Sequence, residues 1–240
     1  MGARRLNSDT DALTPAWPLR VFPIPNEGVR PAPVLPPGWA RLQGAEMRRR
    51  LLHMLPGLFP FVLWAIPHPD PWGPYLFYAV IAATALVVIN GLRQFAAFAR
   101  PGEEDGWSSI LGYAFPVLVS MCVSRGREEL CLLTLAILAF GDGSATVGGL
   151  LFGGRPLPWN SRKTVTGLLC FWGFGGILGT VVYWGESRPG VSWMIAAAVA
   201  GATVFIAGLL ESLPSRINDN LRVGFASAAI GTAMHFVLVG

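Results

Sequence analysis

From about residue 51 to the end of the chain, apolar residues arrive in long runs, separated by short clusters of Arg, Pro, Gly and acidic residues. The runs are continuous rather than alternating, which favours helix over a half-buried strand. Roughly 20 apolar residues carry a helix across the hydrocarbon core. Inside lipid every backbone N–H and C=O must be paired within its segment, so only helices and closed barrels span it. The pattern predicts an all-α bundle of seven transmembrane helices, at about 51–67, 74–92, 108–124, 129–152, 164–184, 190–212 and 221–239. Pro56, Pro60 and Pro67 interrupt the first, and neighbouring helices can satisfy such breaks.

Residues 1–45 are a different material. They hold eight of the twenty prolines, with no apolar run and no helical period. This stretch reads as a Pro-rich, disordered cytoplasmic tail, and it lacks the short apolar core of a signal peptide. Residues 46–240 form the membrane domain. Composition excludes an ordinary soluble domain: 52% of residues are hydrophobic, only 13% are charged and the mean hydropathy is +0.50, against about 25% charged in soluble domains.

Orientation follows from the basic residues, which favour the cytoplasmic side in short loops. With the N-terminus inside, Arg48, Arg49, Arg50, Arg93, Arg100, Arg155, Arg162, Lys163, Arg216, Arg222 and the five tail arginines are inside. Arg125, Arg127 and Arg188 are outside, a split of fifteen to three. Heavy use of Arg, Ala, Gly and Pro is that of a GC-rich genome, so a bacterial inner membrane is the expected setting. Lys163 is the only lysine among 18 basic residues. Cys122, Cys131 and Cys170 lie in apolar segments without CxxC spacing and read as small buried hydrophobes. The tryptophans read mostly as interfacial anchors, and His235 as a packing histidine.

Ionisable residues in or beside membrane helices are costly and are functional candidates by default. Glu128, Glu129 and Glu186 fall in loops, as do Asp70, Glu103, Glu104 and Asp105. That leaves Glu46 before the first helix, Asp142 within the fourth, Glu211 ending the sixth and Asp219 in the loop after it. All four face the cytoplasmic side, and acids, arginines and one lysine converging there suit a metal-phosphate site. The richest stretch runs from Gly141-Asp142-Gly143 to Gly153-Gly154-Arg155, then through Pro158-Trp159-Asn160 and Arg162-Lys163-Thr164. Glycines let backbone N–H groups approach an anion, and Arg and Lys supply matching charge. Generic nucleotide loops do not fit. A Walker A loop needs Gly where Arg162 stands, and GxGxxG needs Gly where Thr146 stands. The alternatives are structural: glycines pack membrane helices, Asp142 could form a buried ion pair, Arg162 and Lys163 could be topology anchors, Asp219-Asn220 a turn, and His53 an interfacial packing residue.

Taken together, three separated blocks resemble the polyprenol kinase family, which includes dolichol kinase, phytol kinase and the CTP-dependent diacylglycerol kinase of fungi. The first block is Glu46-x-x-Arg49-x-x-x-His53, preceding the first helix. The second is Gly141-Asp142-Gly143 through Phe152-Gly153, Pro158-Trp159-Asn160 and Lys163-Thr164-x-x-Gly167. The third is Glu211 followed by Asp219-Asn220. The likeness covers roughly residues 46–225. Two positions depart from it: Thr166 stands where the family usually has Glu, and Arg222-Val223-Gly224 comes after Asp219-Asn220 where a proline is common.

The resemblance implies a kinase that moves the γ-phosphoryl of a nucleoside triphosphate, typically CTP, to a lipid alcohol such as a prenol, phytol, dolichol or diacylglycerol. Phosphoryl transfer needs divalent metal, positive charge on the phosphates and an oriented hydroxyl. Asp142 and Asp219 are then the Mg²⁺-ligand candidates, and Lys163 with Arg162 the phosphate contacts. Gly141, Gly143, Asn160 and Asn220 are placed at the nucleotide or at metal-bound water. Glu211 is a supporting or proton-accepting group, and Glu46, Arg49 and His53 support the substrate. A CTP-dependent cytidylyltransferase making a CDP-lipid has overlapping needs. A non-catalytic transporter or inactive relative is the third class, although intramembrane acids at the midplane and inverted repeats are not seen.

Overall fold

The computed structural model describes residues 44–69, 71–94 and 106–240, with side chains from residue 48 onward and, after residue 94, from residue 110 onward. The tail expectation therefore falls outside the described residues, apart from the last two positions of its range. The elements are α1 (Gly44–Met54), α2 (Phe59–Trp64), α3 (Pro74–Gln94), α4 (Gly106–Val123), α5 (Glu128–Ala136), α6 (Gly143–Phe152), β1 (Pro156–Leu157), β2 (Asn160–Thr164), α7 (Val165–Ser187), α8 (Trp193–Ser212) and α9 (Asp219–Leu238). A 3₁₀ turn, Leu55–Leu58, joins α1 to α2, and a π-helical segment, Ile137–Asp142, joins α5 to α6. The chain is an all-α membrane protein carrying one small hairpin.

The first helix differs most from its expected bounds. It starts at Gly44, so the Glu46-Arg49-His53 block lies within a helix rather than before one. Pro56 and Pro60 fall in first turns, of the 3₁₀ turn and of α2, where no backbone N–H is needed, and Pro67 lies beyond α2. The first two segment the crossing without ending it.

Five spans are long and apolar enough to cross a bilayer: Pro74–Gln94, Glu128–Phe152, Val165–Ser187, Trp193–Ser212 and Asp219–Leu238. The shorter apolar Ile110–Val123 lies within α4. Glu128–Phe152 is the axis of the bundle, and every residue from Glu128 to Ala145 is buried. Around it α7, α8 and α9 pack through small side chains. Ala196, Ala200, Thr203 and Ala207 of α8 are all fully buried, and Gly175 and Gly179 of α7 meet Val204 and Leu133 directly. Close backbone approach of this kind replaces the hydrophobic drive that lipid cannot supply. α3 is the opposite case: Phe77 is its one buried residue, so its apolar surface is left for lipid and for a cavity it helps to line.

Glu128, Glu129 and Glu186 are not loop residues. The first two open α5, the third lies in α7, and all three are buried. His235 is buried as expected, with the Tyr183 hydroxyl 2.6 Å from its Nδ1 and Glu129 Oε1 at 3.6 Å.

The first segment and α7 cover the same depth. Arg49 and Arg50 of α1 line a cavity shared with Lys163, just ahead of α7, while Trp64 closing α2 donates to Glu186 Oε2 near the end of α7 at 3.0 Å. With α1–α2 and α4 the described residues hold seven helical segments, five of them long and apolar enough to cross a bilayer. Arg127 Nη2 donates to the Gly240 carbonyl at 3.2 Å, placing the last residue at the end opposite Lys163. A reporter fused after Gly240 is expected to read on the non-cytoplasmic side when one near Arg155 reads cytoplasmic. Both reporters on one side would mean an even number of crossings.

Candidate functional site

Several parts of the chain meet around one cavity of about 1070 Å³: α1, α3, α4, the α5–α6 axis, the hairpin with the start of α7, and the turn between α8 and α9. Arg49, His53, Asp142, Arg162, Lys163, Glu211, Asp219 and Asn220 all line it. These eight of the residues singled out in the sequence are brought together. Gly141, Gly143 and Asn160 are not, and Glu46 lies in α1 with its side chain outside the described residues.

The α5–α6 axis positions Asp142. It ends the π-helical segment, ten residues before the close of α6, so its carboxylate sits about 15 Å below the helix end. Short π segments inside α-helices recur at functional sites because the extra residue turns one side chain off the regular helical face. Asp142 is 7% exposed. His53 Nε2 lies 3.2 Å from its Oδ2 and 3.3 Å from the Leu138 carbonyl oxygen, and the Tyr113 ring stands edge-on to His53 at 4.7 Å. α1 reaches this depth because Gly143 and Gly57 have no side chains. A Cβ on Gly143 would collide with Met54, and one on Gly57 would lie 2.6 Å from the Ala139 Cβ.

The expected anion-cradling glycine loop is instead helix. Gly143 donates its N–H back to the carbonyls of Ala139 and Phe140, Gly141 is pressed against the Phe171 ring and Gly148 against Cys170. Neither Gly141 nor Gly143 lines the cavity, so both are placed at helix contacts that bring Asp142 to its wall. The true turn comes later, at Gly153 (φ 67°) and Gly154 (φ 123°), where only glycine enters the left-handed region without strain.

That turn feeds the β1–β2 hairpin, which delivers Lys163. Trp159 Nε1 donates to Ser212 Oγ and Asn160 Nδ2 to the Ser212 carbonyl, each at 3.0 Å. Asn160 Oδ1 accepts from the Arg162 N–H at 3.2 Å. Asn160 thus clamps the hairpin to the end of α8 and does not line the cavity. Thr164 caps α7 by accepting from the Gly167 N–H at 3.1 Å. Thr166, in the position of the expected Glu, sits against Gly154 and is not a cavity residue.

Lys163 Nζ donates to the Glu211 carbonyl at 2.8 Å, to Asp219 Oδ2 at 2.8 Å and to Glu211 Oε1. Burial works against the charged ammonium, but Glu211 first and then Asp219 outweigh it and hold the Lys163 pKa above the usual lysine value. Arg222 is a site residue that the sequence marked only as a departure and an inside charge. Its Nη2 lies 2.6 Å from Asp219 Oδ1 and donates to the Glu211 carbonyl at 2.9 Å, while Nη1 donates to the Leu213 carbonyl at 2.9 Å. It holds the α8–α9 turn and the Asp219 carboxylate in place, where a proline could hold only backbone. Asn218, another cavity residue, caps α9 through Oδ1 to the Asn220 N–H at 2.9 Å. Gly112 of α4 leaves the room for it.

Among the described residues no three His, Cys, Asp or Glu side chains stand close enough to chelate a metal on their own. Asp219 already uses both oxygens on Lys163 and Arg222. The wall is thus suited to an ion that arrives with phosphates and takes only one or two protein carboxylates, as Mg²⁺ does. Arg49, Arg50, Arg162 and Lys163 face Asp142, Glu211 and Asp219 around the cavity, giving an excess of positive charge for a polyanion.

No protein-family model matches the chain, and no solved structure matches it. Its sequence is 26% identical over 197 residues to the probable phytol kinase 1, chloroplastic, of Glycine max, covering 77% of this chain and 65% of that protein. It is 26% identical over 195 residues to phytol kinase 1, chloroplastic, of Arabidopsis thaliana, covering 76% and 64%. With the probable phytol kinase, chloroplastic, of Triticum aestivum, identity is 24% over 214 residues, covering 83% and 70%. The chain spans about 65% of the length of the first of these relatives. These relatives support the polyprenol and phytol kinase assignment that the three sequence blocks suggest.

Proposed function

We propose that this chain is a membrane-embedded kinase that transfers the γ-phosphoryl of a nucleoside triphosphate, CTP in this reading, to the hydroxyl of a lipid alcohol. A prenol of the phytol type is the favoured acceptor. The observation that carries the reading is one cavity with two characters: Asp142, Lys163, Glu211 and Asp219 at one end, and apolar side chains of α3 and α4 along the rest. A charged donor and an apolar acceptor need such a junction. The names of the plant relatives support the alcohol, and the family resemblance supports CTP. The basic bias supports a site at the face where positive charge is retained, the cytoplasmic face if the setting is a bacterial inner membrane.

In this reading Lys163, Arg162 and Arg49 hold the phosphates. Asp142, with Asp219 if its ion pairs open, would hold Mg²⁺. When bound, that ion offsets charge developing on the transferring group. The acceptor hydroxyl oxygen forms a bond to the γ-phosphorus as the bond from that phosphorus to the β–γ bridging oxygen breaks. The nucleoside diphosphate leaves with the electron pair, and the hydroxyl proton passes to a wall carboxylate, Glu211. Little general-base assistance is required where the transition state is loose, so positioning and charge are the main contributions of the chain.

The test incubates purified protein in detergent with phytol and either γ-labelled or α-labelled CTP. Label in the lipid from the γ position and none from the α position is the expected result. Lipid labelled from the α position would make the protein a cytidylyltransferase. Label from neither, across a panel of alcohols and nucleotides, would leave the transporter or inactive-relative reading standing.

A further inference from the structure

The cavity runs from the charged cluster to a far end, and Trp72 lines that end. Lys163 and Gly167 stand at the start of α7, whereas Trp72, which lines the same cavity, donates its Nε1 to Glu186 Oε1 near the end of α7 at 2.9 Å. Gly167 and Glu186 are about 28 Å apart along the helix axis, close to the thickness of the hydrocarbon core. Between these ends the lining is apolar, with Val80, Ala83 and Val87 of α3 facing Val117 and Met121 of α4. The stretch of α3 from Val80 to Gly91 is about 16 Å long, roughly one leaflet of the membrane core.

Trp72 is firmly held. It is 7% exposed, packs with Leu63, Phe77 and Met121, and meets the Phe59 ring edge-on at 6.4 Å. Glu186 accepts from two indoles, Trp72 through Oε1 and Trp64 through Oε2, with His68 Nε2 3.8 Å away. A carboxylate 5% exposed near a bilayer is costly unless its oxygens are satisfied. Here one oxygen fixes the Trp72 ring at the end of the cavity remote from the charged cluster, and the other holds Trp64 beside it.

Resting on the kinase reading, we infer that Trp72 is the end-stop of the acceptor chamber and that Glu186 is its positioning residue. The protein thereby selects single-chain alcohols no longer than the roughly 28 Å from the start of α7 to Glu186, with the hydroxyl at Asp142 and Lys163 and the tail against the Trp72 ring. Long polyprenols are disfavoured because their chains outrun the chamber.

The experiment uses full-length protein, γ-labelled CTP and linear prenols of rising length: geraniol, farnesol, geranylgeraniol and solanesol. Wild type is expected to favour the chains that fill the chamber and to discriminate against solanesol. Trp72→Ala should raise the ratio of kcat/KM for solanesol to that for farnesol at least about tenfold, the discrimination that a hydrophobic pocket commonly gives. Glu186→Ala should raise the same ratio by less, and Trp72→Phe should leave it near wild type. Ala83→Trp, which fills the chamber from the lipid-facing helix, should move the optimum to shorter chains. A ratio unchanged in Trp72→Ala and an optimum unmoved in Ala83→Trp would overturn the end-stop, because the tail would then leave sideways between the helices. Trp72→Leu keeps an apolar group in the core and carries the test if Trp72→Ala does not fold. Absence of transfer by wild type to any alcohol would instead overturn the kinase reading itself.

Discussion

Asp142→Asn is expected to lower turnover by at least about a thousandfold, roughly 4 kcal/mol of transition-state stabilisation, while the protein stays folded in detergent. Asn has the shape of Asp but not the charge that a Mg²⁺ ligand needs. The folding side of the argument comes from where Asp142 sits. It is buried on the central helix, with the His53 imidazole 3.2 Å from its carboxylate. An amide oxygen in the same place can still accept from the imidazole, and removing a charge from an apolar interior relieves desolvation. Thermal unfolding should therefore change little. Turnover measured beside the unfolding transition separates the two roles. Loss of the fold together with activity would make Asp142–His53 a structural pair, and near-normal turnover would end its part in chemistry.

The second large effect is expected at Lys163. Lys163→Arg should lower kcat/KM for the nucleotide at least about tenfold, roughly 1.4 kcal/mol, and Lys163→Ala further. An ammonium has three donors, and Lys163 aims them at three acceptors: the Glu211 carbonyl, the Glu211 carboxylate and Asp219. A planar guanidinium is wider and cannot place its donors in that three-way arrangement. If Lys163 were only a topology anchor, arginine would serve equally well. Alanine also leaves Glu211 and Asp219 without their shared cation, so both acids would repel a polyphosphate. Kinetics on membrane-inserted variants decide the matter, and wild-type kcat/KM in Lys163→Arg would refute a lysine-specific contact. The sign of the pH dependence is fixed by the raised Lys163 pKa. A raised folded value contributes stability that is complete below the unfolded lysine value of about 10.4 and is lost only as pH rises through the folded one. Lysine deprotonation therefore does not limit activity at neutral pH.

The long helices were legible because each is a nearly unbroken apolar run, and lipid leaves such a run few choices besides helix. α3, α8 and α9 lie within a few residues of their expected bounds. The first crossing was partly hidden, since α1 is polar on average and prolines punctuate the 3₁₀ turn and α2. Glu128, Glu129 and Glu186 read as loop charges because sequence places them at run ends. Glu129 meets His235 of α9, Glu186 accepts from Trp64 and Trp72, and Glu128 accepts from the Gly126 N–H, partners that only the folded chain supplies. At the site, charge scarcity in apolar runs pointed to Asp142, Glu211 and Asp219. The glycines beside Asp142 misled, because helix contact and phosphate cradle call for the same residue. Asn160 misled similarly, its amide being committed to Ser212 and the Arg162 backbone. Arg222 was marked only as a departure and an inside charge, and Asn218 not at all, as only the folded α8–α9 turn shows what they hold.

The dispersal of the site along the chain has a consequence for biosynthesis. His53 is supplied by the first crossing, Lys163 by the hairpin ahead of α7, and Asp219 by the first residue of α9. Chains emerge from the ribosome N-terminal end first, so a nascent protein that has inserted only through α8 holds Lys163 without Asp219 or Arg222 beside it. Glu211 of α8 is then already beside the lysine, but the full set of counter-charges is complete only when the final helix enters the bilayer. On the kinase reading, nucleotide chemistry is thereby withheld from half-made chains, and completion of insertion is itself the event that switches the protein on.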